Sequence, residues 1–208
     1  MVLLAFFAAS ASAGERPKVL VALGDSTTAG TPYDRERPDA AYPARLERLL
    51  PGWKVVNRGV AGERTDQIRA RLKRDVLALR PRTAIVLAGV NDIYQGVPPD
   101  KVRANLKAMY RELKAAGVAP VAASVLPYDA ALPDDCRALQ ALNLWIEGEA
   151  ARQKIAFADL HAAAASPRDP CRLKGSPDGL HPDPATYAAV AEAAARALTP
   201  ASPASPGR

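Results

Sequence analysis

Short apolar runs alternate along this chain with longer segments in which apolar positions recur every three or four residues. The runs at 19–23, 54–57, 83–88, 118–125 and 155–160 are largely Val, Ile, Leu and Ala, without strict polar alternation. Strands covered on both faces read this way, whereas half-exposed strands alternate. Between the runs, Ile68, Leu72, Val76 and Leu79 recur at helical spacing, as do Val102, Leu106, Met109 and Leu113, and then Leu139, Leu142 and Ile146. An Ala-rich stretch over 185–198 predicts a terminal helix. Pro81 follows one helical segment, Gly117 closes the next, and Pro99 suits a first helical turn. Strand–helix alternation of this kind predicts an α/β fold with right-handed crossovers. The expected architecture is a single-domain three-layer sandwich with a five-stranded parallel, flavodoxin-like sheet. In such sheets ligands bind beyond the carboxyl ends of the strands, so functional residues should follow strands directly.

Composition changes this picture little. The 208 residues are 49% hydrophobic and 24% charged, ordinary for one soluble domain. The net charge of +6 raises the question of nucleic acid or anionic membrane. Basic and acidic residues are interleaved over 64–74 and 101–114, however, which is the pattern of solvated helix faces, and no nucleic-acid partner is expected. The ends carry more information. Residues 2–9 are uncharged and mostly apolar, too few to span a bilayer, and Ala11-Ser12-Ala13 fits signal-peptidase cleavage before Gly14. These features predict a signal peptide over 1–13, a folded domain over 14–198 and a disordered Pro/Ser-rich tail over 199–208. They also predict an exported protein without stable membrane insertion. Cys136 and Cys171 are an even pair in such a chain, which suggests one disulfide, with two free thiols as the alternative. With two histidines and no CxxC, no metal site is expected.

Four fragments can carry chemistry. The first run leads into Gly24-Asp25-Ser26-Thr27, where Ser26 is either a nucleophile beside free helix N–H groups or a helix cap. The second leads into Asn57-Arg58-Gly59-Val60-Ala61-Gly62-Glu63-Arg64-Thr65, whose glycines either offer an amide N–H to an anion or make a turn. After the third comes Gly89-Val90-Asn91-Asp92, with Asn91 as a donor to a developing oxyanion or as an Asx-turn. Asp178-Gly179-Leu180-His181 precedes the terminal helix. There an imidazole suited to proton transfer near neutrality has a carboxylate three residues upstream to orient it. A surface His beside a turn-forming Asp is the alternative. His161, beside Asp159 but without that upstream carboxylate, reads as structural.

Together the four fragments resemble the SGNH (GDSL) hydrolase family, whose Ser, Gly, Asn and His blocks occur in this order. Here they are Ser26 in GDST, Gly62 in GVAGERT, Asn91 in GVND, and Asp178 with His181 in DGLHPD. Thr27 stands where the family name has Leu, and Gly59 is an alternative to Gly62. The resemblance implies a serine esterase with Ser26 as nucleophile, His181 as base and Asp178 as its orienting group. The oxyanion hole would be built from Ser26, Gly62 and Asn91. It implies no cofactor and a small-molecule acyl ester as the partner. The polar segment 33–37 suggests a rim suited to short acyl chains or acetylated polar alcohols. An acyltransferase acting on a sugar hydroxyl, thioesterase or lysophospholipase specificity, and a non-enzymatic ligand-binding module are the competing readings.

Overall fold

The computed structural model describes residues 18–198. The expected signal peptide at 1–13 and tail at 199–208 lie outside the described residues. In chain order the elements begin with β1 (Lys18–Gly24), α1 (Ser26–Ala29), α2 (Tyr42–Leu49), β2 (Trp53–Gly59), α3 (Thr65–Ala70), α4 (Leu72–Asp75) and β3 (Thr83–Leu87). They continue with α5 (Val90–Tyr94), α6 (Pro99–Ala115), β4 (Ala119–Ala123), α7 (Pro133–Gln153), β5 (Ala156–Ala158) and α8 (Leu160–Ala164). A hairpin of β6 (Ala165–Ser166) and β7 (Asp169–Leu173) precedes α9 (Pro184–Leu198).

The main sheet has five strands in the order β2-β1-β3-β4-β5, every neighbouring pair parallel. This is the expected flavodoxin-like arrangement. Alternate strand residues feed two cores, as strand geometry requires. Val21, Leu23, Ala84, Val86 and Ala122 pack with α3, α6 and α7 on one face. Leu20, Ala22, Ile85, Leu87 and Val121 pack with α2, α8 and α9 on the other. Most of the side chains in both layers are fully buried, and burying each Leu or Ile fully stabilises by about 1.5–3 kcal/mol. The helical stripe Val102, Leu106, Met109 and Leu113 is buried along α6, and Ala191 and Ala194 of α9 are fully covered.

Three details depart from the sequence reading. The stripe from Ile68 to Leu79 is not one helix but α3, α4 and a short 3₁₀ turn at Leu77–Leu79, broken at Arg71. Its apolar positions report which side is buried and say nothing of hydrogen-bond continuity. The runs at 118–125 and 155–160 overshoot the sheet, because Val125 pairs with the Asn143 side chain and Asp159 caps α8 by accepting from Ala162 N–H. The β6–β7 hairpin was not expected, because Asp169-Pro170-Cys171-Arg172 carries no apolar run.

Candidate active site

Parallel strands bring their carboxyl ends to one edge, and the first three hand the chain directly to GDST, GVAGERT and GVND. Gly24 ends β1 so close to β3 that a Cβ there would sit 2.4 Å from the Leu87 carbonyl oxygen. Asp25 then caps α1, its carboxylate accepting from the Thr27 N–H at 3.0 Å. Burial pushes the Asp25 carboxyl up to about 6, with the Thr27 N–H and His181 opposing. Ser26 opens α1, so its N–H has no intrahelical acceptor.

The fourth fragment meets this turn. His181 Nε2 lies 2.9 Å from Ser26 Oγ, across 155 residues of chain. On the other side of the ring, His181 Nδ1 lies 2.7 Å from Asp178 Oδ2. Asp178 Oδ1 accepts from the N–H groups of Leu180 and His181 at 2.9 and 2.8 Å, which locks the carboxylate plane. Burial pulls the Asp178 pKa upward, but the imidazole and those two N–H groups outweigh it and hold the carboxyl at about 2. An ionised carboxylate only accepts, so Nδ1 carries the ring proton and Nε2 is left to accept from the Ser26 hydroxyl. Ser176 Oγ donates to the His181 carbonyl at 2.8 Å and secures the turn. From outside, the Asp129 and Ala130 N–H groups donate to the Gly179 carbonyl, and Asp129 Oδ1 accepts from Leu173 N–H at 2.8 Å. Beside this belt Cys136 of α7 and Cys171 of β7 form a disulfide with Cα atoms 5.6 Å apart.

Gly62 and Asn91 reach the same cavity as Ser26 and His181. Gly62 adopts φ +80°, a conformation that a side chain would strain. Gly59 is spent differently: its N–H donates to Asn57 Oδ1 at 2.9 Å, and a Cβ there would strike the Ala29 backbone. Asn91 Nδ2 donates one hydrogen to the Glu63 carbonyl at 3.0 Å, leaving its second free to point elsewhere. Beside it the buried Asp92 carboxylate takes the N–H and Oγ1–H of Thr65 at 2.9 and 2.6 Å, pinning the second fragment to the third. Burial raises the Asp92 pKa against those two bonds.

The cavity has a volume of about 250 Å³. Its polar lining includes Ser26, Gly62, Asn91 and His181, and its apolar lining is chiefly Val90, Tyr94, Val125, Leu126, Tyr128 and Leu180. Tyr94 and Tyr128 meet edge to face, with ring centroids 6.3 Å apart. Segment 33–37, read from sequence as the polar rim, does not line it; of that loop only Thr31 does. Tyr187 Oη donates to the Thr31 carbonyl at 2.8 Å and anchors the start of that loop. His161 stands behind the wall, its Nδ1 3.0 Å from the Val125 carbonyl. The wall over 125–128 and the Asp92 clamp escaped the sequence reading; the overlong apolar run at 118–125 was the trace of the former. Among the described residues no cluster of His, Cys, Asp and Glu could hold a metal ion, and no helix is long and apolar enough to cross a membrane.

Residues 22–189 match the model of the GDSL-like Lipase/Acylhydrolase family. Among curated proteins, the thioesterase 1/protease 1/lysophospholipase L1 of Escherichia coli strain K12 is 34% identical over 122 residues, covering 58% of this chain and 54% of that protein. An arylesterase of Vibrio mimicus is 32% identical over 117 residues, covering 55% and 58%. The chain thus spans little more than half the length of these curated relatives. A solved structure of a G-D-S-L family protein from Desulfitobacterium hafniense DCB-2 superposes with a TM-score of 0.77 at 26% identity, covering 87% of this chain and 99% of that one.

Proposed function

This chain belongs to the GDSL-like lipase/acylhydrolase family, and from that premise we propose that it hydrolyses carboxylic esters through an acyl-enzyme formed on Ser26. The observation that carries the proposal is the unbroken hydrogen-bond line from Ser26 Oγ through His181 to Asp178, at 2.9 and 2.7 Å. His181 Nε2 takes the Ser26 proton as Oγ bonds to the ester carbonyl carbon. The carbonyl oxygen becomes an oxyanion received by the N–H groups of Ser26 and Gly62 and the second hydrogen of Asn91 Nδ2. Collapse breaks the bond to the alcohol oxygen, which leaves with the proton from Nε2. Water then repeats the sequence, releasing the acid and restoring Ser26.

Cavity size and lining bear on the substrate. A volume of about 250 Å³ is below the usual range of roughly 300–1,000 Å³ for drug-sized ligands, and most of its lining is apolar. The favoured acyl group is therefore short and uncharged. A series of p-nitrophenyl esters tests both class and substrate. With Ser26→Ala as control, kcat/KM should climb about fourfold per added methylene until the pocket is full, then fall. A profile still rising at long chains, or no turnover of any member, contradicts this assignment. Asn91→Ala should lower kcat about 100- to 1,000-fold with KM within roughly threefold, since the donor acts on the oxyanion and not on the ground state. An unchanged kcat removes Asn91 from the hole.

The disulfide supports placement in an oxidising compartment outside the cytoplasm. Cys171 precedes Leu173, which bonds Asp129, and Asp129 in turn holds the Gly179 carbonyl between Asp178 and His181. Reduction should therefore lower kcat several-fold while the far-ultraviolet circular dichroism stays native. Full activity after thiol titration has verified reduction contradicts the tether.

A further inference from the structure

Arg71 takes no part in the chemistry just described and does not line the cavity, yet its guanidinium is almost wholly buried, with 5% of the side chain exposed. It sits at the break between α3 and α4 and serves four acceptors from separate stretches of chain. Nη2 donates to the Gly24 carbonyl at 2.8 Å, Nη1 to the Arg58 carbonyl at 2.9 Å and to Asp75 Oδ2 at 3.0 Å, and Nε to Glu63 Oε2 at 2.5 Å. Its charge is met by Glu63 and Asp75, and Asp75 is shared with Arg74, so two cations face two carboxylates in this cluster.

The identity of those acceptors is what matters. Gly24 immediately precedes Asp25-Ser26, and its carbonyl also accepts the Val60 N–H at 3.0 Å. Glu63 immediately follows Gly62, and its carbonyl accepts from Asn91 Nδ2. One planar cation thus ties Arg58 and Glu63, which flank the 59–62 loop, to the turn that carries the nucleophile. Gly62 stands between those two residues at φ +80° with open space on its Cβ side, so no packing against its side-chain position holds its amide. The direction of that N–H is set by how its flanks are anchored.

We infer that Arg71 is a positioning residue for the oxyanion hole, holding the Gly62 amide and, through Glu63, the Asn91 side chain in register with Ser26. The inference rests on the proposed acyl-enzyme reading. A lysine cannot substitute, because its compact ammonium lacks the rigid fork that reaches several separated acceptors in one plane.

The test measures kcat and KM on a short-chain p-nitrophenyl ester for Arg71→Lys and Glu63→Gln, each alone and combined with Asn91→Ala. Arg71→Lys should lower kcat about 10- to 100-fold with KM within roughly threefold, and Glu63→Gln several-fold with the same split, because both misplace donors that act on the transition state. In the Asn91→Ala background either loss should be smaller than in the parent, because the share that acts through Asn91 is already gone while the share through the Gly62 amide remains. A residue that only stabilises the fold would lower activity by the same factor in both backgrounds. Equal factors, or a folded Arg71→Lys enzyme with the parent kcat, overturn the inference. Should Arg71→Lys fail to fold, Glu63→Gln leaves the guanidinium its other three acceptors, and an unchanged kcat there overturns it equally. Ser26→Ala separates the two readings: if that variant stays active, the acyl-enzyme proposal fails, whereas a dead Ser26→Ala beside indifferent Arg71 and Glu63 variants removes the positioning role alone.

Discussion

Ser26→Ala should lower kcat by about 10⁴- to 10⁶-fold, equivalent to about 5–8 kcal/mol of barrier, while the protein keeps its native circular dichroism and melting behaviour. The size follows from the mechanism. Without Oγ there is no covalent intermediate, and water must attack with only the hole and the cavity to assist. Stability should scarcely move, because the removed hydroxyl lines the cavity and hydrogen-bonds to His181, not to a structural partner in the core. His181→Ala should fall comparably, and the double variant should be little worse than either single one, since the two act as one unit. Hydrolysis of p-nitrophenyl acetate against a buffer blank checks this. A Ser26→Ala enzyme within tenfold of the parent would place the nucleophile elsewhere.

Asp178→Asn, isosteric as it is, should cost about 10³- to 10⁴-fold in kcat. The reason lies in the two backbone donors. Leu180 and His181 N–H groups both point at Oδ1, so in the variant the amide oxygen must occupy that place. Its NH₂ group then faces His181 Nδ1, where the carboxylate Oδ2 now lies at 2.7 Å. Nδ1 is forced to accept, the ring proton moves to Nε2, and Nε2 can no longer take a proton from Ser26. Asp178→Ala imposes no such tautomer, because water can replace the lost carboxylate at this partly exposed position. The isosteric change should therefore be the more damaging of the two. An alanine variant slower than the asparagine one would falsify the tautomer argument while leaving Asp178 in the site.

The sheet and the order of the four fragments were open to reading because both are written locally. A strand covered on both faces must be largely apolar, as 19–23 and 84–88 are, and an amphipathic helix must repeat near 3.6 residues, as Val102 to Leu113 does. Parallel strands then bring every fragment that follows a strand to one edge, so proximity of Ser26, Gly62 and Asn91 follows from topology before any distance is measured. That Val125 to Tyr128 line the cavity while 33–37 do not was not open to reading. Loops of similar composition can turn toward a cavity or away from it, and the turn depends on remote bonds such as Tyr187 to Thr31 and His161 to Val125.

Arg71 marks the same boundary most sharply. In sequence it is one of several arginines on a charged, helix-like segment and reads as a solvated face. Its burial depends on the chain breaking at that residue, and on the β1–β2 register that sets Gly24 opposite Gly59 beside the loop bearing Glu63. By itself, then, the sequence determined the five parallel strands, the long helices and the family, because periodicity and strand-end motifs depend on neighbours along the chain. Only the tertiary structure decided which carbonyls a buried guanidinium would hold and which side chains would wall the cavity. Those outcomes depend on distances between residues tens to more than a hundred positions apart, and no local pattern encodes them.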